Sequence, residues 1–223
     1  MVAAVVPPRG GKPATVTGVP RTLVDANRVW VDSRVRAAAQ RRVEAPVLRQ
    51  LGGTLDGGEA LEIGPGRRGT GSRLALELFG AARVRAVELP PASAQACRRA
   101  LADLGDRVVV EQGDATALPL PDRSVDAVFC YHLLHHAQEW RAAVREAARV
   151  LRPGGRLYAA EMTARIVDSR PLRAVSFHPA DGDRPTTASL VQACASAGLE
   201  VVGSRERFAG CWTAVVARRP PDL

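Results

Sequence analysis

The chain has 223 residues, 46% of them hydrophobic, which is ordinary for a globular protein and sufficient for one domain with a sizeable core. Its formal charge of +8 suggests nucleic acid, an anionic membrane or an acidic substrate, but Lys12 is the only lysine, the arginines are dispersed and aromatics make up 4% of the chain, so a base-stacking surface is not expected. Cys97, Cys130, Cys194 and Cys211 show no C-x-x-C spacing, which argues against a zinc knuckle or redox pair and fits reduced cytoplasmic thiols. The opening residues are too short and proline-broken for a signal peptide, and no later run is long enough to span a membrane.

Residues 1–20, rich in proline, glycine and small side chains, read as a flexible tail. Residues 21–57 read as a helical extension. Val29, Trp30, Val35, Val43, Val47, Leu48 and Leu51 recur among arginines, and Pro46 is expected to divide the run into two helices. This extension either packs on the sheet edge or forms a lid with Trp30 and Arg34 facing a site. A first strand, 59–63, runs into Gly64-Pro65-Gly66-Arg67-Arg68-Gly69-Thr70-Gly71, and a helix starting near Ser72 carries Leu74, Leu76, Leu78 and Phe79. Strands are expected at 83–88, 108–111, 124–130 and 156–161, with helices at about 92–104 and 139–151 between them. Residues 164–186 look irregular. A helix over 187–197 is capped by Thr186 or Thr187, and strands at 200–208 and 211–217 form an antiparallel hairpin. Strands alternating with helices predict a parallel sheet covered on both faces.

The glycine turn carries the chemistry. Gly64, Gly66 and Gly69 match a dinucleotide fingerprint, yet Glu62 would repel a diphosphate and Pro65 offers no N–H. A carboxylate there suits a cationic ligand, an ammonium or a sulfonium; the competing reading is that Glu62 caps a neighbouring loop. Glu88 ends the second strand about twenty residues past the turn, where an acid accepts hydrogen bonds from ribose hydroxyls. Leu89 beside it is placed to pack on an adenine face.

Glu62-x-Gly64-x-Gly66 after a strand resembles motif I of the class I S-adenosylmethionine (SAM)-dependent methyltransferases. The runs Leu118 to Asp126 and Arg149 to Gly155, and the terminal hairpin, fit the same family. The resemblance is nearest to its ubiquinone/menaquinone-biosynthesis-type branch, which mostly methylates small molecules. It implies an α/β, Rossmann-like, seven-stranded and mostly parallel sheet with helices on both faces and a C-terminal antiparallel hairpin, with residues 58–223 as the SAM-binding domain. It also implies SAM as cofactor, S-adenosylhomocysteine (SAH) as product and a small-molecule acceptor as partner; no metal or membrane is expected, and nucleic acid is the less favoured partner. The cofactor contacts carried over are Glu62, Gly64, Gly66, Glu88, Leu89, Asp114, Ala115, Cys130 and Tyr131. Asp114 is to accept from the adenine amino group, and the N–H of Ala115 is to face the base.

Methyl transfer asks a protein to align the reactants and exclude water, and needs a base only if the acceptor must lose a proton. His135 and Glu161, both at the carboxyl edge of the sheet, are the candidate catalytic groups. A salt bridge to an arginine is the other reading for Glu161, and His136 reads as a cap. His178 and residues 181–184 lie in the irregular segment where such enzymes shape an acceptor pocket. Three other readings stay open: an RNA- or protein-directed methyltransferase, a SAM-binding protein without transfer, and a nicotinamide oxidoreductase, against which Glu62, Pro65 and the hairpin speak.

Overall fold

The computed structural model describes residues 33–169 and 183–222. The tail, Trp30, His178 and Asp181 therefore lie outside the described residues.

Seven strands form one sheet in the order β3-β2-β1-β4-β5-β7-β6. They are β1 (Glu59–Ile63), β2 (Arg83–Glu88), β3 (Val108–Gln112), β4 (Val125–Tyr131), β5 (Leu151–Met162), β6 (Glu200–Arg207) and β7 (Trp212–Arg218). Strands β1 to β5 pair in parallel, and β7 inserts antiparallel between β5 and β6. The chain winds outward from β1 to β3 and then restarts at β4 on the other side of β1. The carboxyl ends of β1 and β4 thus flank the point where strand order reverses, which is where open α/β sheets bind ligands.

Two apolar clusters sandwich the sheet. One face is covered by α2 (Ala45–Gly52), α3 (Thr70–Glu77) and α4 (Pro91–Ala100), through Leu48, Leu74, Phe79 and Cys97. The other is covered by α5 (Trp140–Val150) and α7 (Thr187–Ser196), through Trp140, Val144 and Leu190. Side chains alternate faces along each strand. Ala60, Ala86 and Phe129 therefore mark one face, and Leu61, Val87 and Val128 the other.

The N-terminal extension departs from the expected pair of helices. Helix α1 (Arg34–Ala39) continues through a π turn, Gln40–Glu44, directly into α2. Pro46 sits in the first turn of α2, where its missing N–H costs little, and the Ala45 N–H reaches back to the Gln40 carbonyl. The path stays helical and the extra residue per turn absorbs the proline. The Tyr158 hydroxyl donates to the Gly52 carbonyl at 3.0 Å and ties α2 to β5.

Two further boundaries move. Helix α4 stops at Ala100 and a 3₁₀ turn, Ala102–Arg107, completes the connection to β3. Within 164–186, residues Ala164–Val167 form a short helix, α6.

Candidate active site

The turn after β1 is built on glycines at positive φ, 68° at Gly64 and 63° at Gly66, a region closed to most side chains. Its donors are already engaged. The Gly64 N–H donates to the Val87 carbonyl at 2.9 Å and the Gly66 N–H donates to a Glu88 carboxylate oxygen at 2.8 Å. Glu88 thereby ties the end of β2 to the turn.

Glu62 is 1% exposed and does cap a helix. Its carboxylate accepts from the Ser72 hydroxyl at 2.5 Å and from the backbone N–H groups of Gly71 and Ser72 in the first turn of α3. A Cβ added at Gly71 would lie 2.0 Å from a Glu62 oxygen and 2.8 Å from the Tyr131 ring, so glycine is what lets the carboxylate reach the helix. Burial, opposed by the Ser72 and Gly71 hydrogen bonds and reinforced by the nearby Glu88 charge, pushes Glu62 up to about 7. A helix N-terminus filled by an internal carboxylate has nothing left to offer a pyrophosphate, which argues against the nicotinamide reading.

Strand parity puts Glu62, Glu88 and Tyr131 on the α3 face of the sheet. Tyr131 is 6% exposed, and its buried hydroxyl has no hydrogen-bond partner among the described residues. Burial holds its phenol well above the usual range, and the charges of Glu62 and Glu44 add to that. Leu89, 57% exposed, and the exposed Asp114 stand at the ends of β2 and β3. Asp114 accepts from the Thr116 N–H at 2.8 Å, a local turn that presents the loop edge. Ala115 is half-buried beside it, and Cys130, 3% exposed, faces the α5 side with Val128.

His135 and Glu161 come together as one buried pair. A ring nitrogen of His135 contacts a Glu161 oxygen, and the carboxylate also accepts from the Leu134 N–H at 2.7 Å and the Met162 N–H at 2.8 Å. Burial alone would raise Glu161, but the charge and hydrogen bond of His135 outweigh it and hold the carboxyl below its usual range. Exposures of 3% and 0% give this pair the shape of a lock on the loop after β4.

Sequence reasoning missed a second cluster, at the junction of the extension and β4. Glu44 in the π turn pairs with Arg36 of α1 at 3.1 Å and lies 3.1 Å from His132 Nε2. His132 follows β4 with φ at 54°, the left-handed region that a non-glycine residue rarely adopts. Burial raises the Glu44 carboxyl, yet His132 and Arg36 together bring it below the usual range. The available signal was Glu44 itself, an acid on the same helical stripe as Val47, Leu48 and Leu51. Arg34, which the lid reading of the extension turns toward a site, is exposed.

Among the described residues, no group of three or more histidines, cysteines or acids is arranged to hold a metal, and no helix is long and apolar enough to cross a membrane.

Comparison with known proteins adds a family. Residues 61–159 match the model of a methyltransferase domain. The chain is 32% identical over 191 residues to a demethylmenaquinone methyltransferase of Mycolicibacterium paratuberculosis, covering 73% of this chain and 80% of that one. It is 55% identical to the 27-O-demethylrifamycin SV methyltransferase of Amycolatopsis mediterranei over 56 residues, a stretch covering 25% of this chain and 21% of that protein. Among solved structures, a putative methyltransferase in complex with the Haloferax volcanii Trm112 activator superposes with a TM-score of 0.70 at 19% identity, covering 86% of this chain and 97% of that one.

Proposed function

The chain belongs to the SAM-dependent methyltransferases, and on that premise we propose that it transfers a methyl group from SAM to a small-molecule acceptor. The observation that carries this reading is the convergence of Glu62, Glu88 and the unpartnered Tyr131 hydroxyl on one face of the sheet, beside a glycine turn at the strand-order reversal.

The residues present fit SAM. Glu62 supplies negative charge where a sulfonium or ammonium would sit, and Glu88 stands at the ribose position. Gly66, with nothing within 4 Å of an added Cβ, leaves room for close backbone approach. Leu89 offers an exposed apolar surface for adenine, with Asp114 and Ala115 at the base edge, whereas Cys130 is buried on the opposite face of the sheet. When bound, SAM supplies an electrophilic methyl on a good leaving group. The protein's own residues then align the acceptor and keep water out.

Small-molecule acceptors are named for the relatives on demethylmenaquinone and demethylrifamycin. Many arginines here serve internal ion pairs, as Arg73, Arg85, Arg149 and Arg152 do, which supports a small acceptor over RNA. The four cysteines are free thiols, in keeping with the cytoplasm.

The test is transfer of tritiated methyl from SAM into fractionated cell extract, with Glu88→Ala as control. Label in the small-molecule fraction, lost in the variant, is expected. Label confined to RNA or protein would overturn the acceptor class.

A further inference from the structure

The Arg36–Glu44–His132 cluster has the connectivity of a base with its orienting acid, and resting on the methyl-transfer reading above, we propose that His132 is the general base of the reaction, that Glu44 positions it, and that the acceptor is a hydroxyl compound of phenol or enol type.

Geometry sets the roles. His132 Nε2 lies 3.1 Å from Glu44 Oε1, so an Nε2–H donated to the carboxylate leaves the lone pair on Nδ1. Nδ1 has no hydrogen-bond partner among the described residues, and the side chain keeps 14% of its exposure. Glu44 is fixed in turn by Arg36, whose Nη2 donates at 3.1 Å. This base, orienting acid and fixing cation are carried by three separate elements: the loop after β4, the π turn and α1.

The location fits as well. His132 directly follows Tyr131, whose buried and unpartnered hydroxyl lies within electrostatic reach of both Glu62 and the Glu44–Arg36 pair. The Tyr131 hydroxyl therefore feels the charge both of the group assigned to the cationic cofactor and of the acid paired with the proposed base. The His132 N–H is anchored to the Ala160 carbonyl at 2.8 Å, which holds the residue in its left-handed conformation. Strain of that kind persists where the surroundings over-determine it, and it gathers at functional sites. The buried His135–Glu161 pair has far less access to an acceptor than His132, at 2% and 0% side-chain exposure.

The step balances. The acceptor oxygen forms a bond to the methyl carbon while the carbon–sulfur bond breaks and leaves its electron pair on sulfur. The hydroxyl proton passes to His132 Nδ1, the imidazolium is stabilised by Glu44, and the proton leaves to water after product release. A carboxylic acid acceptor, already ionised, would not need such a base, and a phenol would.

The experiment compares two probes, 1-naphthol, which keeps its proton at neutral pH, and 4-nitrophenol, which is largely ionised in mildly alkaline buffer. Tritiated-methyl transfer is measured with the wild-type protein, His132→Asn and Glu44→Gln, and SAH binding is followed by calorimetry. In His132→Asn the naphthol rate is expected to fall about 100-fold while the nitrophenol rate stays within about threefold. Glu44→Gln gives the same split, smaller. In the SAH-saturated wild-type protein, 1-naphthol shifts the ring-proton resonances assigned to His132 by their loss in His132→Asn. An equal fall with both probes makes the cluster structural and overturns the proposal, as does no fall with either, or wild-type transfer to neither phenol despite SAH binding. Absence of SAH binding in the wild-type protein overturns the methyl-transfer reading itself.

Discussion

The two halves of the sheet's carboxyl edge are built by different means. Around β1 and β2 the site is assembled from neighbours in sequence, Glu62 with Gly71 and Ser72, and Gly66 with Glu88 twenty-two positions on. Around β4 and β5 one pair spans a comparable stretch and the other reaches back to the N-terminal extension. Glu44 meets His132 across 88 positions, and Glu161 meets His135 across 26. The first half spends its polar groups on holding a turn and a helix end. The second half holds one buried ion pair as a lock and leaves a second, on the opposite face, within reach of solvent. The first half is held by one contiguous stretch of chain, whereas the second draws on a separate N-terminal extension.

Breaking the lock in the second half should have the largest effect. Glu161→Ala removes the buried carboxylate that holds His135 and the Leu134 and Met162 N–H groups and is expected to cost about 3–5 kcal/mol, read as a lowered urea midpoint at unchanged slope. The pH dependence has a definite sign. Glu161 is held below its usual range in the fold, so its contribution is present above the unfolded carboxyl value, about 4.3, and is lost as pH falls further. An acid-side loss of the same size in Glu161→Ala would contradict the assignment.

Next comes Gly71→Ala, which forces a Cβ against Glu62 and Tyr131 and is expected to cost about 1–3 kcal/mol and to weaken SAM binding with it. Unchanged melting and unchanged affinity would show that the carboxylate can retreat from the helix at no cost.

Glu62 then separates the empty from the loaded site by pH. With its carboxyl at about 7, its contribution to the stability of the empty protein is fully present below about 4.3 and is lost as pH rises through 7. Cation binding requires the ionised form, so SAM affinity runs the other way and falls roughly tenfold between about pH 8 and about pH 6. Calorimetry at both values checks this, and a flat profile would move the cation away from Glu62.

The smallest effect belongs to the exposed Arg41–Glu77 pair at 2.8 Å, which links the extension to α3. Arg41→Ala should cost less than about 1 kcal/mol, and that cost should shrink in high salt.

The same contrast explains what the sequence disclosed. The alternation of strands and helices, the glycine turn and the terminal hairpin are local patterns, and all seven strands lie near their expected places, although β5 begins at Leu151 and runs through the Pro153-Gly154-Gly155 expected before it. Glu62 and Glu88 were legible because a strand end and a glycine turn fix their positions. Glu62's second partner, the first turn of α3, was not, since helix capping by a residue eight positions upstream has no spacing rule. His135 and Glu161 were legible as residues at the right edge but not as a buried pair, because their meeting depends on how the loop after β4 folds back. The pairing of Glu44 with His132 was not legible because the π turn that carries Glu44 is invisible in a 3.6-residue pattern. Pro46 was noticed, but its consequence was absorbed one turn earlier.

The central claim is that Glu88 and the turn it braces bind SAM. The most direct test is calorimetric titration of SAH into the wild-type protein and Glu88→Ala, with melting curves recorded for both. The structure predicts saturable binding to the wild type and affinity lowered about 10- to 100-fold in a variant that still melts cooperatively, the loss expected for a charged hydrogen-bond acceptor. Equal affinity in the two proteins, or no binding to the wild type, would contradict it.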